Sequence, residues 1–176
     1  MFRRLIAAAA VVLTMSAPAF AADPGNLQLF RTVSRQVLSY PQFTVFDNVQ
    51  AQVNQGMVTL TGKVTMPYKS KDLEKRVARI PGVTQVVNRI EVLPVSQFDD
   101  ELRFRIARAI YGNSNFWGYG SMVNPPIHII VDHGHVTLEG VVNSNVERML
   151  ARSLATGLGE FSVESELRTD AEVKSE

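Results

Sequence analysis

The three histidines of the chain, His128, His133 and His135, lie in one eight-residue stretch. Imidazole is a common zinc ligand, so this stretch could hold a metal ion. A two-residue turn after Asp132 would pair His135 with Asp132, and His128 with Glu139, across two antiparallel strands. His128 and His135 would then be roughly 10 Å apart along the strands. We therefore expect a solvated face with cross-strand His–carboxylate pairs and predict no metal site.

The alternative is ion binding at this hairpin by His133, His135 and Asp132, which form only a marginal ligand set. The other residue types that could do chemistry point away from catalysis. The chain has no cysteine, and no Gly-x-Ser-x-Gly elbow occurs. Asp99 and Asp100 stand at the predicted start of a helix, where they would cap it and favour its dipole. We predict no enzyme and no cofactor.

A stripe of aromatic and basic residues offers a binding chemistry instead. The spacing predicts a helix over 100–111 whose core side carries Leu102, Ile106 and Ile110, with a long loop, 113–126, behind it. Aromatic side chains favour the depth of lipid headgroups, and arginine can bind phosphate oxygens. The candidate lipid- or partner-binding residues are Phe104, Arg108, Tyr111, Phe116, Trp117 and Tyr119. The alternative, favoured for Trp117, is that these aromatics pack between the two copies described next or over a sheet.

Two related hairpin motifs organise the rest of the chain. The stretch 55–64, QGMVTLTGKV, returns at 133–142 as HGHVTLEGVV, at an offset of 78. From the following helix onward the offset is 77, as in Leu73 and Leu150. Val58 and Leu60 fall on the core face of the predicted hairpin. Internal repeats of this kind indicate a duplicated fold.

Each copy reads helix–strand–strand–helix–strand. The fold class is therefore α+β, with two tandem αββαβ modules, each having two helices packed on one face of a three-stranded sheet. The predicted domains are 26–93 and 99–170, joined by a linker at 94–98 and followed by a polar, frayed tail at 171–176. We expect the two copies to pack on each other, because modules of this size have small cores.

The second helix of the first copy, which begins at Pro67, is rich in basic residues. Those predicted to point outward are Lys69, Lys71, Lys75, Arg76 and Arg79. A solvated outer face is the default interpretation, and attraction to anionic headgroups is the alternative.

The first residues are typical of a secretory signal peptide. Arg3 and Arg4 precede an apolar run, 5–17, and an Ala-x-Ala cleavage site at 19–21. We predict cleavage after Ala21 and a periplasmic, or secreted, soluble protein. Without Arg3 and Arg4 the mature chain has 16 basic and 17 acidic residues. This near-neutral balance argues against a dedicated nucleic-acid binder.

The repeated pattern resembles the BON domain of bacterial periplasmic and outer-membrane-associated proteins. The residues that carry the resemblance are GMVTLTG at 56–62, PGV at 81–83 and VVNRI at 86–90, with GHVTLEG at 134–140 in the second copy. The second copy departs at its last strand, where Ser165 replaces Asn88. Two such modules behind a signal peptide are similar to osmotically inducible periplasmic proteins. The resemblance implies phospholipid or envelope attachment, stress-related roles and no catalytic residues.

We therefore predict a non-enzymatic, envelope-associated binding module that attaches to an anionic phospholipid surface in a stress-related role. The alternative is a protein–protein interaction module of a periplasmic complex. The expected partner is a membrane surface or an envelope protein, not nucleic acid, and we favour a monomer.

Overall fold

The computed structural model describes residues 24–175, so the predicted signal peptide lies outside the described residues. The first module contains α1 (Pro24–Leu38), β1 (Asn48–Asn54), β2 (Met57–Val64), α2 (Pro67–Ala78) and β3 (Gln85–Val92). The second module contains α3 (Gln97–Tyr111), a 3₁₀ turn (Ser114–Phe116), α4 (Trp117–Gly120), β4 (Ile127–Asp132), β5 (His135–Val142), α5 (Asn145–Leu154), β6 (Ser162–Thr169) and α6 (Asp170–Lys174).

Each module forms its own three-stranded sheet, in the order β1-β2-β3 or β4-β5-β6. The first two strands are antiparallel and the third is parallel to the second. The predicted register is confirmed, since Val53 pairs with Val58 and Asp132 pairs with His135. Both hairpin turns have positive φ at their two central residues, 49° and 83° at 55–56 and 52° and 78° at 133–134. Such turns match the right-handed twist of the strands they join.

The helices of each module cover one face of its sheet, as predicted. Apolar side chains from the sheet and both helices meet there in two separate cores. The first core includes Val33, Val37, Val58, Leu60, Leu73 and Val77, and the second includes Leu102, Ile106, Ile110, Phe116, Val136, Leu138 and Ala151. The Val-Thr-Leu motif therefore supplies core residues from the central strand of each sheet.

The second glycine of each hairpin motif is required by the close approach of two strands. A Cβ on Gly62 would lie 2.2 Å from the carbonyl oxygen of Asn48, and a Cβ on Gly140 would lie 1.9 Å from that of Pro126. Their φ angles, 115° and 120°, also belong to a region that other residues rarely adopt. No side chain fits at either position without moving the backbone of the neighbouring strand.

Substituting Gly140→Ala is expected to lower the free energy of unfolding by about 3 kcal/mol, because the backbone conformation alone costs a non-glycine residue about 1–3 kcal/mol. Guanidinium denaturation followed by circular dichroism measures the loss. Gly118→Ala is the matched control, since nothing lies within 4 Å of the added Cβ. Equal stability of the two variants would contradict the steric explanation.

The two modules pack on each other, as expected from the sequence. The backbone N–H of Ile129 in β4 donates to the carbonyl of Val45, 2.7 Å away, so a loop of the first module covers the edge of the second sheet. Lys63 in β2 forms an ion pair with Asp132 at 2.7 Å. The side-chain amide of Asn48 donates to Glu139. In each sheet, one face is covered by helices and the other is not. These two side-chain contacts join the uncovered face of the first sheet to the uncovered face of the second.

Two predictions about the ends of elements are wrong. The tail is not frayed at its start, because Thr169 and Glu172 form a capping box that begins α6. Asp99 and Asp100 lie in the first turn of α3, as predicted, but the cap is Ser96, whose hydroxyl accepts from the N–H of Asp99. Asp99 is instead buried, and its carboxylate accepts from the N–H groups of His133 and Gly134 at 3.0 and 2.8 Å. Asp99 thus holds the hairpin turn against α3.

Candidate functional site

The structure separates the six predicted binding residues into an inner and an outer set. Phe116 is 0% exposed and Tyr119 is 9% exposed, and both belong to the second core. The prediction that they form part of a surface is therefore wrong. The segment 114–120 folds into a 3₁₀ turn followed by α4, and these short helices pack against α3 and turn the two rings into the second core.

Tyrosine hydroxyls anchor this inner set. Tyr119 donates to Glu147 at 2.7 Å and accepts from the backbone N–H of Asn143 at 3.1 Å. Burial and the bond to Glu147 raise the pKa of Tyr119 to about 12. Tyr111 is partly buried against the second core, and its hydroxyl donates to the carbonyl of Ile127, so its role in binding stays a prediction. Burial raises the pKa of Tyr111.

The outer set contains Phe104, Arg108 and Trp117. Trp117 is 66% exposed, so the alternative that it packs inside is wrong; its indole N–H donates to the carbonyl of Gly112 at 3.2 Å. Phe104 is 62% exposed, and its ring also meets Phe46 of the first module edge-on at 5.3 Å. The role of these three residues in binding stays a prediction. They would present a compact aromatic–cation patch at the end of α3.

A second surface was predicted only in part from the sequence, which indicated the basic residues of α2 but not those of α1. The helices α1 and α2 lie side by side on the first sheet, and five exposed cations project from them on the side away from the sheet. We call this set the cationic layer: Arg31, Arg35, Lys71, Lys75 and Arg79. The alternation of Arg31 and Arg35 with buried Val33 and Val37 could have revealed the α1 half.

The cationic layer has little acidic compensation. The two helices carry only two carboxylates, Asp72 and Glu74, and both are half-buried and hydrogen-bonded. The hydroxyl of Tyr40 donates to Asp72 at 3.0 Å, and the amide of Asn88 donates to Glu74 at 2.8 Å. Arg76 does not point outward as predicted; it lies in the seam between the helices, 5.6 Å from the centre of the Tyr40 ring.

The near-neutral charge of the whole chain hides an asymmetry between the modules. Residues 24–93 contain nine Lys and Arg against four Asp and Glu, a net of +5. Residues 97–175 contain seven Lys and Arg against eleven Asp and Glu, a net of −4. The net positive charge of the described residues is therefore concentrated in the first module.

Lys69 was predicted to point outward, and this is wrong. It is 4% exposed and forms an ion pair at 2.6 Å with Asp47, which is 0% exposed. Asp47 also accepts from the backbone N–H and hydroxyl of Thr65 and from those of Thr44. Burial alone would raise the pKa of Asp47, but the hydrogen bonds from Lys69, Thr65 and Thr44 outweigh it and hold the pKa below 3.8. The pair connects the start of α2 to the loop before β1.

The histidines occupy three different environments. His128 is not solvated as predicted: it lies between the modules with its ring 5.6 Å from that of Phe43, and burial lowers its pKa. His133 and His135 are exposed, and their Nδ1 atoms contact Asp132 at 2.6 Å and Ser162 at 2.8 Å. Within residues 24–175, no three His, Asp or Glu side chains converge to hold a metal ion.

None of the helices in residues 24–175 is both long and apolar enough to cross a membrane.

Comparison with known proteins gives one family. The family model described as BON domain matches residues 30–94 and 99–169, which are the two modules. No curated protein matches the chain.

Two solved structures of CdsD, a structural protein of the type III secretion system of Chlamydia trachomatis, align with the chain. One has 14% identity and a TM-score of 0.30, over 84% of this chain and 96% of that one. The other, the C-terminal domain of CdsD, has 13% identity and a TM-score of 0.32, over 81% and 66% of the two chains. At these TM-scores the alignments carry no argument.

Proposed function

The chain belongs to the BON domain family, whose domains are generally non-catalytic binding modules, and we propose that it attaches to an anionic phospholipid surface of the bacterial cell envelope. The proposal places the protein in the periplasm, in accordance with the predicted signal peptide, and gives it a stress-related role. Attachment needs no covalent chemistry, only a surface that complements negatively charged headgroups.

The cationic layer is the observation that carries this proposal. Its five exposed Lys and Arg side chains project from two adjacent helices, and the two carboxylates of those helices are half-buried and hydrogen-bonded. Each basic residue near an anionic leaflet contributes about 1 kcal/mol of attraction, which fades beyond a Debye length. Five such residues on one side of a module are enough for reversible, salt-sensitive attachment.

The exposed patch of Phe104, Arg108 and Trp117 would supply a second contact. It lies on the module with net negative charge, so its contribution would come from the rings and not from long-range attraction. The side chain of Trp117 is largely exposed, and its indole N–H donates a hydrogen bond to the protein backbone. Such a side chain suits the lipid headgroup region, where tryptophan is enriched.

Reversing one charge of the cationic layer is expected to weaken attachment. Arg79→Glu should reduce binding to phosphatidylglycerol-containing vesicles about tenfold at low salt, because it replaces an attraction of about 1 kcal/mol by a repulsion. Co-sedimentation measures the bound fraction. Arg89→Glu is the matched control, since Arg89 is an exposed arginine on β3, outside the layer. Equal losses of vesicle binding in both variants would mean that binding depends only on the net charge of the protein and not on the cationic layer.

The aromatic contact is tested in the same assay with Trp117→Ala, beside Val95→Ala as an exposed apolar control outside the patch. We expect a loss of binding for the first variant only, together with a blue shift of wild-type fluorescence on vesicles, since Trp117 is the one tryptophan of the chain. Negligible, salt-insensitive binding by the wild type and every variant would reject the lipid proposal in favour of a protein partner.

A further inference from the structure

A cleft of about 640 Å³ opens between the two modules, lined by α1 and β1 of the first and by β5 and β6 of the second. Four consecutive residues of β1, 48–51, line it. Successive side chains of a strand point to opposite faces, so a cleft that meets all four runs along the edge of the strand and not over one face.

The strand β1 is an edge strand, because the first sheet has the order β1-β2-β3. An edge strand presents unpaired backbone N–H and C=O groups, and an extended peptide can add to them as a further strand. Such a peptide would direct alternate side chains to the two sides of the sheet.

The two sides of the cleft differ in chemistry. On the helix side, the exposed rings and methyl groups of Phe30 and Leu38 in α1 stand beside Val49 and Ala51. This wall is apolar and lies next to the first core, so it suits small or branched apolar side chains.

On the other side, the second sheet lines the cleft with two carboxylates, Glu139 and Glu166, and one arginine, Arg168, a net charge of −1. Glu139 and Glu166 are paired in register across β5 and β6. Like charges in this arrangement repel each other. Burial raises the pKa of Glu139, the amide of Asn48 lowers it, the charge of Glu166 raises it and the charge of Lys63 lowers it. Lys63 therefore compensates part of the charge of Glu139, and a further cation beside the two carboxylates would relieve the repulsion that remains.

We propose that this cleft binds an extended segment of a partner protein with alternating apolar and basic side chains, which adds to β1 as a fourth strand of the first sheet. Its apolar side chains lie against Phe30 and Leu38, and its Lys or Arg side chains reach Glu139 and Glu166. The partner is thus recognised by backbone pairing and by charge, at a site distinct from the proposed lipid-binding surfaces.

The test uses the full mature chain and a fluorescein-labelled peptide, acetyl-VKVKVKV-amide, with binding measured by fluorescence anisotropy. We expect the double variant Glu139→Gln/Glu166→Gln to bind at least tenfold more weakly than the wild type. Glu164→Gln is the matched control: Glu164 is an exposed residue on the same face of β6, two positions away, and does not line the cleft. It should bind as the wild type does.

Two altered peptides test the mode of binding. The acidic peptide VEVEVEV should not bind, and the basic peptide with all its backbone nitrogens methylated should lose binding, because neither of its edges can donate hydrogen bonds to β1. The proposal would be overturned if the acidic and basic peptides bound equally, or if methylation left the affinity unchanged. Equal losses of affinity in the Glu164→Gln and double variants would also overturn it. So would the absence of binding by the basic peptide at millimolar concentration. Thermal unfolding of the double variant checks that it is folded. Vesicles do not enter this assay, so its failure leaves the lipid proposal standing.

Discussion

Replacing Lys69 by methionine is expected to lower the free energy of unfolding by about 3–5 kcal/mol, because removing one partner of a buried ion pair leaves the other charge uncompensated. The abandoned partner is Asp47, which is 0% exposed. Its remaining donors, Thr44 and Thr65, are neutral and cannot balance a carboxylate. Guanidinium denaturation at neutral pH, followed by far-ultraviolet circular dichroism, measures the loss.

Lys71→Met is the matched control, because the residue is exposed on the same helix and the change in side chain is identical. It should change stability by no more than about 0.5 kcal/mol. The double variant Asp47→Leu/Lys69→Met should recover much of the loss, since apolar residues can replace a buried pair at little cost. If Lys69→Met were as mild as Lys71→Met, the pair would not be a buried structural element.

Truncating Phe116 to alanine should cost about 3–5 kcal/mol, the range measured when a buried phenylalanine is removed from a packed core. Phe116 is fully buried in the second core, and its ring lies 5.9 Å from the ring of Tyr119. The loss should appear as a lower denaturation midpoint of the second module. Trp117→Ala, one residue further on and 66% exposed, should cost less than about 1 kcal/mol.

This pair of neighbouring variants also separates structure from function. Phe116→Ala should weaken the fold, while Trp117→Ala should keep the fold and weaken vesicle binding. The opposite ranking of stabilities would show that the ring of Trp117, not that of Phe116, holds the segment 114–120 in place.

In each copy, a polar cluster accepts a hydrogen bond from the backbone N–H group just before the second helix. In the first module, the backbone N–H of Thr65, just before α2, donates to Asp47 at 2.8 Å. In the second, the backbone N–H of Asn143, at the equivalent position before α5, donates to Glu147 at 2.9 Å and to the hydroxyl of Tyr119. The inserted aromatic segment of the second copy thus takes over a task that an ion pair performs in the first. Of the six candidate binding residues, Tyr119 is explained by this structural role.

Local patterns predicted the scaffold well. The period-two alternation around each hairpin motif and its turn residues determined the register of both hairpins. Alternation assigns each side chain to one face of a strand, and this depends on neighbours only a few positions apart. The helices follow from local periodicity as well, the two-module architecture follows from the internal repeat, and the family was inferred from the resemblance of the repeated motifs to the BON domain.

The exposure of individual side chains could not be inferred in this way. Phe116, Trp117 and Tyr119 have similar local surroundings, yet the first and third are buried and the second is exposed. Lys69 lies on a basic helix, and only the loop carrying Asp47 turns it inward. The period-two pattern of β4 assigns His128 to the polar face of the strand, but the packing of the first module against β4 buries its side chain.

The sequence by itself thus determined the repeat, the strand register and the two cores, because these follow from short-range periodicity. Only the tertiary structure decided which cations and aromatics reach the surface and where the modules leave a cleft. Those properties depend on which segments, distant in sequence, pack together: α1 beside α2 makes the cationic layer, and the contact of Lys63 with Asp132 sets one module against the other. Long-range packing of this kind leaves no periodic trace in the chain.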